Sequence, residues 1–153
     1  YNLALLLANG QGVEKDEREA AALHRKAAEQ GYAPAQSSLG VCYELGRGVA
    51  KDETEAVAWY RRAAEQGLAV GQCCLGFMLA NGRGVVKDQR EAAAWYRKAA
   101  DRGHARAQYN LGILYENGQG VARDHGEAIA LYRKAAEQGY ASAKERLAKL
   151  DAL

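Results

Sequence analysis

Apolar residues recur three and four apart along this chain, and the pattern itself repeats at a 36-residue step marked by Gly46, Gly82 and Gly118. In one phase of the repeat, Ala56, Trp59, Tyr60, Ala63 and Ala64 form a stripe along one side of a helix. In the other phase, a helix from about Ala33 to Glu44 groups Gln36, Leu39, Gly40 and Tyr43 on one side, at about 100° per residue. Each unit therefore predicts two antiparallel helices, A then B, neither able to bury its apolar side alone. Asp16, Asp52, Asp88 and Asp124 return in register, as do the Ala-Ala pairs ending at Ala28, Ala64, Ala100 and Ala136. The complete units are 32–67, 68–103 and 104–139, preceded by a partial unit 1–31 and followed by a capping helix in 140–153. The whole chain, 1–153, is read as one repeat domain.

Local signals fix the ends of the helices. Pro34 falls in the first turn of a helix A, where its missing N–H costs nothing. Asp52 with Glu55, and the pairs Asp16/Glu19, Asp88/Glu91 and Asp124/Glu127, match an acidic capping box at the start of helix B. Gly31, Gly67, Gly103 and Gly139 suit the left-handed position just past the end of helix B. Between the helices runs a Gly-x-Gly-Val loop: Gly10 to Val13, Gly46 to Val49, Gly82 to Val85 and Gly118 to Val121. Gly40, Gly76 and Gly112 lie inside helix A, where glycine costs about 1 kcal/mol relative to alanine. Their recurrence predicts a neighbouring helix too close for a methyl group.

The side of helix A opposite the recurring stripe varies from unit to unit. Pro34, Ser37, Ser38, Val41, Glu44 and Leu45 become Val70, Cys73, Cys74, Phe77, Ala80 and Asn81, then Arg106, Tyr109, Asn110, Ile113, Glu116 and Asn117. In the first unit the matching residues are Tyr1, Asn2, Leu5, Ala8 and Asn9.

The run ARAQYNLG from Ala105 to Gly112, then Tyr115, Gly118 to Val121, Asp124, Ala128, Tyr132 and the pair Ala135 and Ala136, resembles the Sel-one-like repeat, a relative of the tetratricopeptide repeat. The likeness extends through every unit, with Leu23 and Leu131 in place of Trp59 and Trp95 and His24 in place of the usual tyrosine. It implies an all-α, right-handed α-solenoid and an adaptor role in protein complexes. It also implies that the A helices line the concave surface. The variable face then becomes a candidate partner-binding groove made of Asn2, Leu5, Asn9, Ser37, Ser38, Val41, Glu44, Cys73, Cys74, Phe77, Asn81, Tyr109, Asn110, Ile113, Glu116 and Asn117.

In that groove Leu5, Val41, Phe77 and Ile113 are expected to form an apolar strip, with Phe77 and Tyr109 as anchors for an extended or helical partner segment. Asparagines flank the strip and can pair with a peptide main chain, while Glu44 and Glu116 would favour basic groups. The alternative is an enzyme, or a binder of small molecules or cell-wall fragments, using the same groove. A catalytic site needs two or three converging titratable groups, and the groove offers mainly those two glutamates.

Composition narrows the classes further. Net charge is +2, from 21 basic and 19 acidic residues, too small an imbalance to indicate nucleic acid or an anionic membrane. The longest apolar run, 3–8, is far too short to span a bilayer. Basic pairs near the end of each helix B, such as Arg61-Arg62, are balanced by acidic neighbours and read as a solvated face. The Gly-x-Gly loops lack the strand and third glycine of a dinucleotide fingerprint. His24, His104 and His125 have no second ligand at metal-binding spacing, so no metal or cofactor is expected. Cys42, Cys73 and Cys74 make no disulfide framework and fit reduced thiols of a cytosolic protein. One branch of the resembled family is secreted, cysteine-rich and linked to penicillin binding or β-lactam hydrolysis. It is built on paired cysteines that this chain lacks, so that activity is not carried over.

The ends differ in character. Lys144 replaces the repeated glutamine and Asp151 the Tyr43 equivalent, a polar drift suited to a cap. Leu3, Leu5, Leu6 and Leu7 make the first helix apolar on several sides. Further repeats upstream, or self-association through that helix, are expected.

Overall fold

Aspartate at the head of helix B and glycine at the tail of helix A divide the chain as the pattern predicts. The computed structural model describes residues 1–10 and 16–151; Gly12 and Val13 of the first loop, and the side chain of Asp151, lie outside it. Among the described residues there are nine helices and no strand. The A helices are α1 (Asn2–Asn9), α3 (Ala33–Leu45), α5 (Ala69–Asn81), α7 (Ala105–Asn117) and α9 (Ala141–Asp151). The B helices are α2 (Glu17–Glu29), α4 (Glu53–Glu65), α6 (Gln89–Asp101) and α8 (His125–Glu137). Each helix packs on its neighbours in sequence, and α3 also touches α5 across one unit. No helix among the described residues is long and apolar enough to cross a membrane.

The caps form with one modification. The Asp52 carboxylate accepts from the backbone N–H groups of Thr54 and Glu55, both at 3.0 Å. Such a cap is worth about 1 kcal/mol. The reciprocal half of the expected capping box is replaced: the Asp52 N–H donates to the Tyr43 carbonyl of the preceding helix at 2.9 Å. Asp88 and Asp124 do the same to Leu79 and Tyr115, which ties each B helix to the A helix before it.

Units are locked together at two levels. The repeated glutamine of helix A donates to the preceding Ala-Ala pair, Gln36 to Ala28 and Gln72 to Ala64 at 3.2 Å, and Gln108 to Ala100 at 3.3 Å. Gln66 and Gln138 then donate to the Gln36 and Gln108 oxygens. In the third unit Arg102 stands where those donors would be, and the buried Gln72 Oε1 has no partner. At the loops, a β-carbon on Gly48 would lie 1.9 Å from the Glu17 carbonyl oxygen. On Gly84 or Gly120 it would lie 2.2 Å from the carbonyl of Glu53 or Gln89. The loop glycines thus seat on the first turn of the previous helix B.

The glycines inside helix A do meet a neighbouring helix, the helix B of their own unit, and what comes close is a tyrosine ring. A β-carbon on Gly40, Gly76 or Gly112 would approach the ring of Tyr60, Tyr96 or Tyr132 to 2.6, 2.8 or 2.6 Å. In the first unit the pair is Ala4 with the smaller ring of His24, and both are buried.

Candidate functional site

The variable face of the A helices resolves into columns, one residue per unit. Leu5, Val41, Phe77 and Ile113 form one column, all half-buried. Asn2, Asn9, Asn81 and Asn117 are exposed along its sides, and Asn81 spends its amide on the Phe77 carbonyl of its own helix. Ser38, Cys74 and Asn110 are half-buried, with Ser38 donating to the Pro34 carbonyl at 3.0 Å.

One column departs from the sequence expectation. Ser37 and Cys73 are buried, so neither reaches an open groove. The adjoining helices close over this column, and Cys73 joins the core with Tyr96 and Leu111. Tyr109, in the same column, is half-buried and wedged between the rings of Tyr132 and Tyr140, at 5.5 and 5.3 Å. It is a wall of the fold, not a projecting anchor. Burial pushes the Cys73 thiol up to about 12 and the Cys74 thiol up to about 11.

The glutamates also differ from expectation, because the fold supplies their partners. Glu44 accepts from the Tyr60 hydroxyl at 2.7 Å and from Arg83 at 2.8 Å, and Arg83 bridges onward to Glu53 at 2.7 Å. Glu116 accepts from the Tyr132 hydroxyl at 2.6 Å and from Arg146 of α9. The Arg146 guanidinium holds the Glu116 carboxyl below the usual carboxylate range, against the opposing effect of burial. Neither glutamate is available to recruit a basic ligand without breaking these contacts. Cations instead flank the apolar strip, with Arg83 and Arg106 at 5.6 and 5.3 Å from the Phe77 ring centroid.

Where the glutamate column carries alanine, the face opens. A cavity lies under Ala8, lined by Leu5, His24, Val41 and Arg47 among others. Its counterpart two units along lies under Ala80, lined by Phe77, Tyr96, Asn110 and Ile113 among others. The structure thus brings Leu5, Asn9, Ser38 and Val41 around one cavity, and Phe77, Asn81, Asn110 and Ile113 around the other. Arg83 and Arg146, which hold Glu44 and Glu116, were missed from the sequence because they sit in the A–B loop and in the last helix. Their only sequence signal is the alternation Ala8, Glu44, Ala80, Glu116, which calls for a cation beside every second unit. Among the described residues no group of histidine, cysteine, aspartate and glutamate is gathered to hold a metal.

Four Sel1 repeats match a family model, at residues 1–32, 33–68, 69–104 and 105–140. A Sel1 repeat protein from Oxalobacter formigenes superposes with a TM-score of 0.90 at 42% identity, over 97% of this chain and 59% of that one. The protective antigen c5321 of uropathogenic Escherichia coli, which displays an SLR fold, gives 0.90 at 41% identity, over 95% of this chain and 31% of that one. Helicobacter pylori cysteine rich protein B gives 0.67 at 26% identity, over 89% of this chain and 98% of that one. The chain therefore spans less than two thirds of the first relative and less than one third of the second. A search of curated proteins finds no match. With the repeat model covering residues 1 to 140 and close structural likeness across the stack, the chain is an α-solenoid that belongs to the Sel1 repeat family.

Proposed function

We propose that this chain is a non-catalytic interaction scaffold that binds a segment of a partner protein along the variable face of its A helices. Proteins of this repeat family are generally interaction scaffolds. The observation that carries the finer reading is the half-buried column Leu5, Val41, Phe77 and Ile113, opening into cavities under Ala8 and Ala80. The contact of α3 with α5 supports A helices gathered on the inner side of the curve. Phe77 is the anchor of this reading, and Arg106 beside its ring favours a segment with acidic character. The non-catalytic part rests on the engagement of Glu44 and Glu116 by tyrosine and arginine and on the burial of the Cys73 thiol.

Affinity capture from native lysate, followed by titration of the identified segment, tests the groove. Phe77→Asp is expected to weaken that segment at least tenfold with helix content unchanged, in line with loss of an aromatic anchor. Undiminished affinity in a folded variant would remove Phe77 from the site.

The reading extends to self-association through α1. Leu39, Leu75 and Leu111 are buried, and Leu39 clusters with Ala21 and Ala28 of the preceding helix B. Leu3 holds the same repeat position but is 49% exposed, and Leu6 is 39% exposed. A second copy offering a helix to this face would cover both.

A further inference from the structure

A complete carboxylate cradle spans the second and third units: Tyr60 and Arg83 hold Glu44, and Arg83 also holds Glu53. Thirty-six positions earlier stand His24 for Tyr60, Arg47 for Arg83, Glu17 for Glu53 and Val41 for Phe77. The positions of the cradle recur in the sequence, but Ala8 replaces Glu44, so the carboxylate at that position is missing. A cavity lies there, and His24, Arg47 and Glu17 all line it. His24 is only 2% exposed, and its buried Nδ1 has no hydrogen-bond partner. Native proteins rarely leave such a nitrogen unpaired.

We propose that this cavity receives the glutamate side chain of a bound partner segment, whose carboxylate takes the place that Glu44 occupies in the next unit. The entering oxygens accept from the His24 imidazole N–H and from the Arg47 guanidinium, a charge-assisted bond. Glu17 does not forbid this, because Arg83 serves two carboxylates at once in the second unit. A glutamate fits because Ala8 lacks only the atoms beyond the β-carbon, and two methylenes would pass the apolar mouth between Leu5 and Val41. The cavity under Ala80 has Gln119 and Gln89 in place of the arginine and glutamate, with Lys87 as its cation. It therefore lacks the fork that fits a carboxylate. The proposal rests on the groove reading only for the source of the carboxylate.

The test uses the full chain and three small probes: N-acetyl-glutamate methylamide, its glutamine isostere, and N-acetyl-alanine with a free terminal carboxylate. Titration at constant ionic strength is followed through the His24 ring and Arg47 side-chain resonances. The glutamate probe is expected to give a saturable response at least tenfold tighter than either of the others. Ala8→Glu, which installs the residue found at positions 44 and 116, should abolish that response and raise the thermal midpoint. Arg47→Gln, at an exposed side chain, should weaken the probe at least tenfold. Equal response to the glutamine isostere, an equal response to N-acetyl-alanine, no saturable response, or a response surviving either substitution would each overturn the assignment. Failure here leaves the Phe77→Asp experiment untouched, since that one reads a whole partner segment.

Discussion

At position 76 a methyl group has nowhere to go. The Tyr96 ring lies against the glycine, and Tyr96 is itself almost fully buried, so neither side can move away without opening the core. Gly76→Ala is expected to destabilise by about 1–3 kcal/mol, even though alanine favours helix. The first unit shows how the conflict resolves: Ala4 coexists with His24. Tyr96→His is therefore expected to reduce the cost of Gly76→Ala, so that the double variant loses less than the two single losses added, in chemical denaturation. The sequence made the glycines legible as sites of close approach. It did not say what approaches, because a recurrent glycine records a missing volume and not the identity of the neighbour. Tyr109 escaped for a related reason: its neighbours are Tyr132 of α8 and Tyr140 of the turn before α9, and no wheel of one helix can place them.

Helix boundaries were readable to within a residue or so, because they depend on local groups such as the Asp52 carboxylate and the Gly46 backbone. The variable face was less readable. A helical wheel fixes direction but not how closely the next A helix lies, so Ser37 and Cys73 were assigned to a surface that the packing covers. Charge pairing between elements was likewise hidden, and it governs the last helix. Arg146 of α9 clasps Glu116 of α7, whose carboxyl is held below its ordinary range. A depressed carboxylate stabilises the fold above its unfolded value and loses that contribution as pH falls through the folded one. Arg146→Gln should cost about 1 kcal/mol at neutral pH, near the upper end for a part-exposed pair, with faster amide exchange along α9. At pH 3 the thermal midpoints of variant and wild type should draw together; a gap that persists undiminished would mean that the arginine acts through packing alone.

At the level of the whole stack, the fold was legible because its evidence is repetition, and a single slip of register would have erased it. Partner, compartment and assembly leave no such trace. The exposed Leu3 and Leu6 on α1 make assembly directly measurable. Sedimentation of the wild type should show a mass that climbs with concentration, and the Leu3→Lys, Leu6→Lys double variant should stay monomeric. A wild type that stays monomeric throughout would eliminate that contact.

The alternation of alanine and glutamate at positions 8, 44, 80 and 116 gives the surface a longer wavelength than the scaffold beneath it. Architecture counts in single units, but the proposed groove would count in doublets. Inserting or deleting one unit would therefore leave a well-folded rod whose docking points had fallen out of step with any ligand that touches two of them, whereas inserting or deleting two would restore the rhythm.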